Sequence, residues 1–172
     1  DLNSSATIGF EALLRWNHPS KGLLTPSEFL YRAEDTGIIL AIESWVIEEV
    51  SRQLMLWSDD IEFQHAFIAI NLSGRHLTQA NQLNKLISLI KSQTFDPQRL
   101  ILEFNESAFS HHADIALKSL RKLKLLGVRL ALDDYASGVS SFNFLHSYPF
   151  EFIKLDRAFI NTLKHNDKNL SL

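Results

Sequence analysis

The chain has 172 residues, 45% hydrophobic and 22% charged, a balance that suits one folded α/β-sized domain with a sizeable core and argues against disorder. With 17 Lys plus Arg against 20 Asp plus Glu the net charge is -3, so polymeric nucleic acid finds no basic footprint and any anionic ligand has to be met locally. The absence of cysteine excludes disulfides and thiolate metal sites and fits a reducing compartment, while no apolar run reaches membrane-spanning length and no signal peptide is read.

IGFEALLRW at 8–16 alternates as a strand and places Glu11, Leu13 and Arg15 on one face. TPSEFLYRAED opens a helix, with Thr25 as N-cap, Pro26 in the first position and Glu28 closing a capping box. Ile42, Trp45, Val46, Val50, Leu54 and Trp57 recur at helical spacing, which predicts a helix over 41–58 with that stripe on the core. HAFIAINLS at 65–73 is an apolar run ending in Asn71, and Leu83, Leu86, Ile87 and Ile90 mark the next helix. RLILEFNES at 99–107 carries Glu103 and Glu106 at its end, and a helix around 113–126 stops at Gly127. VRLALDD at 128–134 and PFEFIKLD at 149–156 complete the pattern as two more strands.

Nearly continuous apolar strands alternating with amphipathic helices imply a parallel sheet covered on its outside. Polar residues gather where the strands finish: Asn71, Glu103, Asp133, Asp134, Lys154 and Asp156. In a β/α barrel the C-terminal strand ends converge on the active site, whereas a doubly wound sheet gathers ligands only near its switch point. Polar groups from five strands favour the barrel.

Asp133 and Asp134 stand side by side and repel unless something positive lies between them; a bound divalent cation removes that conflict. Glu11, Asn71, Glu103, Asp133 and Asp134 offer only hard oxygen donors, which suits Mg²⁺ or Mn²⁺ rather than zinc. Two such ions about 3.5–4 Å apart, bridged by Asp133, activate water and stabilise both oxygens of an in-line displacement at phosphorus. Lys154 is placed to orient the water or balance charge, and the forked donors of Arg15 suit a nonbridging phosphate oxygen. Ordinary ion pairing accounts for any one of these acids taken alone, but not for so many carboxylates at successive strand ends with so few cations. His111 and His112 precede a helix without a metal-spaced partner and read as solvated, and the Asn71-Leu72-Ser73 triplet lies where a strand is buried, so its match to a glycosylation site reads as accidental. A Schiff-base lysine at Lys154 is the competing enzyme class; surrounding carboxylates argue against it by favouring the ammonium.

EALLRW at 11–16, TPSEF at 25–29, AEDTG at 33–37, NLS at 71–73, EFNES at 103–107, LDDYASG at 132–138 and KLD at 154–156 together resemble the EAL-domain cyclic di-GMP phosphodiesterases of bacteria. The resemblance implies a modified TIM-like (β/α) barrel with one antiparallel strand, offered as the setting of Glu11 near its strand's start. It implies that Glu11, Asn71, Glu103 and Asp133 hold a first metal, that Asp133 and Asp134 serve a second, and that Lys154 holds the catalytic water. Glu106 would steady the loop after the paired aspartates, with Leu14, Arg15, Asn71 and Asp156 as ligand contacts. The implied reaction is hydrolysis of cyclic di-GMP to linear pGpG with Mg²⁺ or Mn²⁺; a catalytically silent cyclic di-GMP receptor is the alternative. A homodimer, additional signalling domains and a cytoplasmic domain, membrane-anchored or free, are the accompanying expectations. The family usually shows DDFGTG where this chain has DDYASG, so Ala136 replaces a glycine that has access to φ > 0, and Ser137 a threonine. Residues 1–172 are expected to form one EAL-type domain short of about 200–250 barrel residues, lacking the start of the first strand and the C-terminal strands with a further glutamate and glutamine.

Overall fold

The computed structural model describes residues 1–109, 112–135 and 147–164; His111, Ala136 and Ser137 lie outside them. The chain begins with β1 (Gly9–Ala12), β2 (Trp16–His18) and β3 (Gly22–Leu24), followed by α1 (Pro26–Thr36) and α2 (Ile39–Leu56). β4 (Phe67–Asn71) leads into a short α3 (Arg75–Thr78) and α4 (Ala80–Lys91), and β5 (Leu100–Asn105) into α5 (Ala113–Lys124). β6 (Arg129–Tyr135), β7 (Phe152–Leu155) and α6 (Arg157–Lys164) complete the described elements.

Five strands form one sheet in the order β1-β4-β5-β6-β7, every pairing parallel. The expected antiparallel strand is therefore not β1, which runs parallel to β4 with Glu11 opposite Ala69. Nor is 8–16 one strand: β1 stops at Ala12, and Trp16 begins a separate hairpin in which β2 and β3 pair antiparallel. The break at 13–15 lifts Leu14 and Arg15 out of the sheet.

Alternation divides each strand between two environments. Ile68, Ile70, Leu100, Leu102, Phe104, Leu130 and Leu132 face outward and pack on Ile47, Val50, Leu54, Leu83, Leu86, Ile90, Leu120 and Leu123 of the helices. The inner face carries a separate small cluster of Ala69, Ile101 and Ala131 against Phe67 and Phe152. In a flat sheet β4 and β7 would lie about 14 Å apart, three strand spacings. Yet the Phe67 and Phe152 rings are 6.0 Å apart, with the Arg129 guanidinium over both at 4.7 and 5.1 Å. The sheet is therefore curled around its inner face, floored by two aromatic rings and an arginine.

α1 begins as its sequence dictates: Glu28 accepts from the Thr25 backbone N–H at 2.7 Å, and the helix ends at Gly37 in the left-handed region. Gly127, at φ 89, does the same after α5. α2 corrects the expected stripe. Trp45 is 53% exposed, and the buried line runs through Ile39, Glu43, Ile47, Val50, Ser51 and Leu54, because the helix turns a neighbouring face to β4.

Candidate active site

Parallel strands all end on the same side, so one alternating position per strand brings chemically active groups together at the sheet's C-terminal edge. β1 supplies Glu11, β4 Asn71, β5 Glu103, β6 Asp133 and β7 Lys154. Glu11, Glu103 and Lys154 border an inner-face cavity of about 260 Å³ with Gly9, Phe67, Ala69, Ile101, Ala131 and Phe152 beneath them.

Lys154 Nζ lies 2.9 Å from Glu11 Oε2, 2.9 Å from Glu103 Oε2 and 3.6 Å from Asp133 Oδ1. Asn71 Nδ2 donates to the other oxygen of Glu11 at 2.9 Å. Residues from five strands, up to 143 positions apart between Glu11 and Lys154, thus form one connected group. Burial works against the charge on Lys154, but hydrogen bonds to Glu103 and Glu11 and the fields of Glu103 and Asp133 outweigh it and raise its pKa. A raised lysine is a poor imine-forming nucleophile, which disfavours the Schiff-base alternative.

Asp133 and Asp134 answer the question that adjacent carboxylates pose. In a regular strand they would point to opposite faces. The pairing of β6 with β7 shifts register between Leu132 and Tyr135, and Asp134 takes φ 53, a left-handed conformation uncommon for a residue with a side chain. Asp134 Oδ2 accepts from Asn105 Nδ2 at 3.4 Å, a contact that links the ends of β5 and β6. Burial first, then Asp133 and Asp156, push the Asp134 carboxyl pKa up; burial does the same to Glu103, opposed by Lys154 and reinforced by Glu11 and Asp133.

Three carboxylates, Glu11, Glu103 and Asp133, thus share the Lys154 ammonium, with Asp134 beside Asp133, and the Glu103 and Asp134 carboxyls are pushed up by burial first and by their acidic neighbours second. That excess of hard oxygen donors fits divalent Mg²⁺ or Mn²⁺. Among the described residues no three His, Cys, Asp or Glu close on a point as ligands, and it is Lys154 that stands between the acids.

The remaining expected residues stand at other stations. Arg15 is exposed on the loop after β1, where its Nη1 donates to Leu14 O at 2.7 Å; with Leu14 it borders an open cleft of about 650 Å³ shared with Trp16, Arg32 and Trp45. Asp156 uses Oδ1 to accept from Ala158 and Phe159 backbone N–H groups at 2.7 and 3.2 Å, capping α6. Glu106 opens the turn after β5 with Oε2 buried, and the loop it is expected to steady begins outside the described residues. His112 is exposed at the start of α5, as expected of a solvated residue.

Sequence reasoning passed over three participants. Asn105 lies within the quoted EFNES without a role. Glu43 and His76 are buried beside the site and joined at 2.8 Å; the signal was a glutamate four residues from both Ile39 and Ile47, on the apolar stripe of a helix.

A family model described as EAL domain matches residues 1–172. The chain is 40% identical over 167 residues to the bifunctional diguanylate cyclase/cyclic di-GMP phosphodiesterase MucR of Pseudomonas aeruginosa, an alignment covering 96% of this chain and 24% of that protein. It is 32% identical over 162 residues to the cyclic di-GMP phosphodiesterase PdeR of Escherichia coli, covering 94% of this chain and 24% of that protein. The solved structure of the PaMucR phosphodiesterase in complex with c-di-GMP matches with a TM-score of 0.83 at 40% identity, covering 94% of this chain and 65% of that chain. The chain thus spans about a quarter of the length of these curated relatives.

Proposed function

Because the chain belongs to the EAL domain family, we propose that it hydrolyses cyclic di-GMP to linear pGpG with Mg²⁺ or Mn²⁺. The observation that carries this reading is the convergence of Glu11, Asn71, Glu103, Asp133 and Lys154 from five parallel strands onto one edge, with carboxylates in excess. Glu11, Asn71, Glu103 and Asp133 would hold one ion, and Asp133 with Asp134 a second. Bound there, the ions supply Lewis acidity and charge neutralisation at phosphorus.

The chain's own groups do the positioning. The Lys154 ammonium, kept charged by its neighbours, donates a hydrogen bond to the attacking water and fixes its direction. Arg15 and Leu14 sit on the loop after β1; Leu14 shares a cavity with Asn71 and Asn105, and the Arg15 guanidinium would reach a nonbridging oxygen of a ligand seated across it. The water's oxygen bonds to phosphorus, one P–O3′ bond breaks, and a proton passes to the released 3′-oxygen, so the ring opens to a linear dinucleotide with a 5′-phosphate.

Arg15→Ala should weaken cyclic di-GMP binding by about 1.5–3 kcal/mol, the range of a hydrogen bond to a charged group. Calorimetry in Ca²⁺, whose larger radius disturbs close paired geometry and suppresses turnover, reads this directly; equal affinity would remove Arg15 from the site. The function itself is tested at the protein's natural length by chromatography of pGpG with Mg²⁺ or Mn²⁺ and after chelation. Turnover abolished by chelation is expected, binding without turnover would favour the receptor, and neither would overturn both. Light scattering on the same material tests the expected homodimer.

A further inference from the structure

Glu43 is a carboxylate on the buried face of a helix, 5% exposed, between Ile39 and Ile47 of α2. Its Oε1 accepts from the Ser73 backbone N–H at 2.5 Å, and its Oε2 lies 2.8 Å from Nε2 of His76, itself 4% exposed. A carboxylate has no hydrogen to give, so Nε2 of His76 carries it.

The place these bonds hold is the chain just past Asn71, where β4 ends and the backbone turns into α3. Leu72 N–H donates to Glu103 O at 2.9 Å, and Arg75 Nη2 to Glu34 O at 2.8 Å, so neighbouring residues are tied to β5 and to α1. Glu43 adds the tie to α2. It also lines a cavity of about 210 Å³ together with Asn71, Ser73 and Asn105, so it stands in the wall between the helix layer and the site. A hydroxyl or an amide would satisfy the Ser73 N–H without bringing a charge into the interior. Burying a carboxylate costs several kcal/mol unless it is paired, but charge-assisted bonds are shorter and roughly twice as strong as neutral ones.

We propose that Glu43, braced by His76, is a positioning residue for the metal-binding edge: it fixes the backbone after Asn71 so that the Asn71 carboxamide stays in register with Glu11. Glu43 does not touch substrate or ion; it acts through Ser73 and Asn71, and its role rests on the metal-dependent reading above.

The test is made at the protein's natural length with Glu43→Ala, Glu43→Gln and Glu43→Asp, reading Mn²⁺ affinity by electron paramagnetic resonance, thermal unfolding without metal, and turnover. Glu43→Ala should weaken Mn²⁺ binding about 10–100-fold, the usual effect of losing an outer-shell partner, and lower kcat with KM for cyclic di-GMP little changed. Glu43→Gln should restore part of the affinity, because its amide oxygen accepts from Ser73, while its NH₂ meets the ring only if the His76 hydrogen moves to Nδ1, which is buried without an acceptor among the described residues. Glu43→Asp keeps the charge but is one methylene too short to reach both partners, and should fall between the two; it also decides the matter if the alanine variant does not fold. A lower unfolding temperature with wild-type Mn²⁺ affinity in both the Ala and Asp variants would overturn the proposal while leaving the hydrolase reading intact. Wild type that binds no Mn²⁺ would overturn both. Wild type that binds Mn²⁺ without turnover, with the affinity loss still seen in the variants, would sink the hydrolase reading and uphold the role of Glu43.

Discussion

Lys154→Met should lower turnover about 10²–10³-fold, the size expected when one preorganised donor is removed from a transition-state site. Methionine keeps an unbranched apolar stem out to the ε position but takes away the ammonium that Glu11, Glu103 and Asp133 share. The same change should make stability newly sensitive to pH. Burial already raises the Glu103 carboxyl pKa, and the hydrogen bond from Lys154 holds that rise in check. Without it, the folded value climbs further above the unfolded one of about 4.3. A carboxyl raised in the folded state contributes stability below its unfolded pKa and loses it as pH rises through the folded one. The variant's unfolding temperature should therefore fall more steeply than the wild type's from pH 4 towards neutrality, by about 1–3 kcal/mol of stability, below the buried-pair range because Lys154 is 36% exposed. Added Mg²⁺ or Mn²⁺ should recover part of it. Calorimetry across pH reads both effects; unchanged turnover would remove Lys154 from the chemistry, and parallel pH profiles would show that Glu103 has other support.

Arg99→Leu should cost about 2–6 kcal/mol: the Ala66 carbonyl loses the guanidinium donor at about 1–3 kcal/mol, and the Leu54 and Phe63 carbonyls, which keep bonds from Ser58 Oγ and Ala66 N–H, each lose a second donor at about 0.5–1.5 kcal/mol. Arg99 is 8% exposed, and its guanidinium donates to Ala66 O at 2.9 Å, Leu54 O at 3.1 Å and Phe63 O at 3.0 Å. These carbonyls belong to the end of α2, the loop after it and the residue before β4, so one side chain ties three turns of chain to the entry of β5. Burial pulls the arginine pKa down against the opposing field of Asp96, yet a guanidinium remains charged, and no pH dependence follows. Against a typical stability of about 5–15 kcal/mol this single loss is large. Urea unfolding should show a lower midpoint at unchanged slope; a loss under about 1 kcal/mol would mean that water replaces the arginine.

How far the sequence carried depends on whether a signal was local. Thr25, Pro26 and Glu28 specify a helix start within four residues, and the structure bears it out. Apolar strand runs ending in Asn71, Glu103, Asp133 and Lys154 sufficed to place those groups on one edge, because parallel strands leave no other arrangement. Trp45 was misjudged for the opposite reason: helical spacing identifies a stripe but leaves its rotation open by one residue, and tertiary contacts chose Ile47. Glu43, His76 and Arg99 were invisible as a set, since each partner lies 30 or more positions away and a lone charged letter in a helix or turn reads as surface. The break after Ala12 escaped notice because the alternation continues through Leu13 and Arg15 although the hydrogen bonding does not.

The rings of Phe67 and Phe152, meeting beneath Arg129, act as an abutment against which the sheet is bent. Ala69, the next inward residue after Phe67, and Ala131, level with Phe152 on the neighbouring strand, are the smallest side chains that interior positions commonly hold, and both are almost wholly enclosed. The strands that carry Glu11 and Lys154 are then lever arms pivoting on that filled base, and the gap between their tips is gauged by the volume packed at the pivot. Spacing at the rim can drift or be retuned in evolution by a methyl group several ångströms below, with every acid and the lysine left in place.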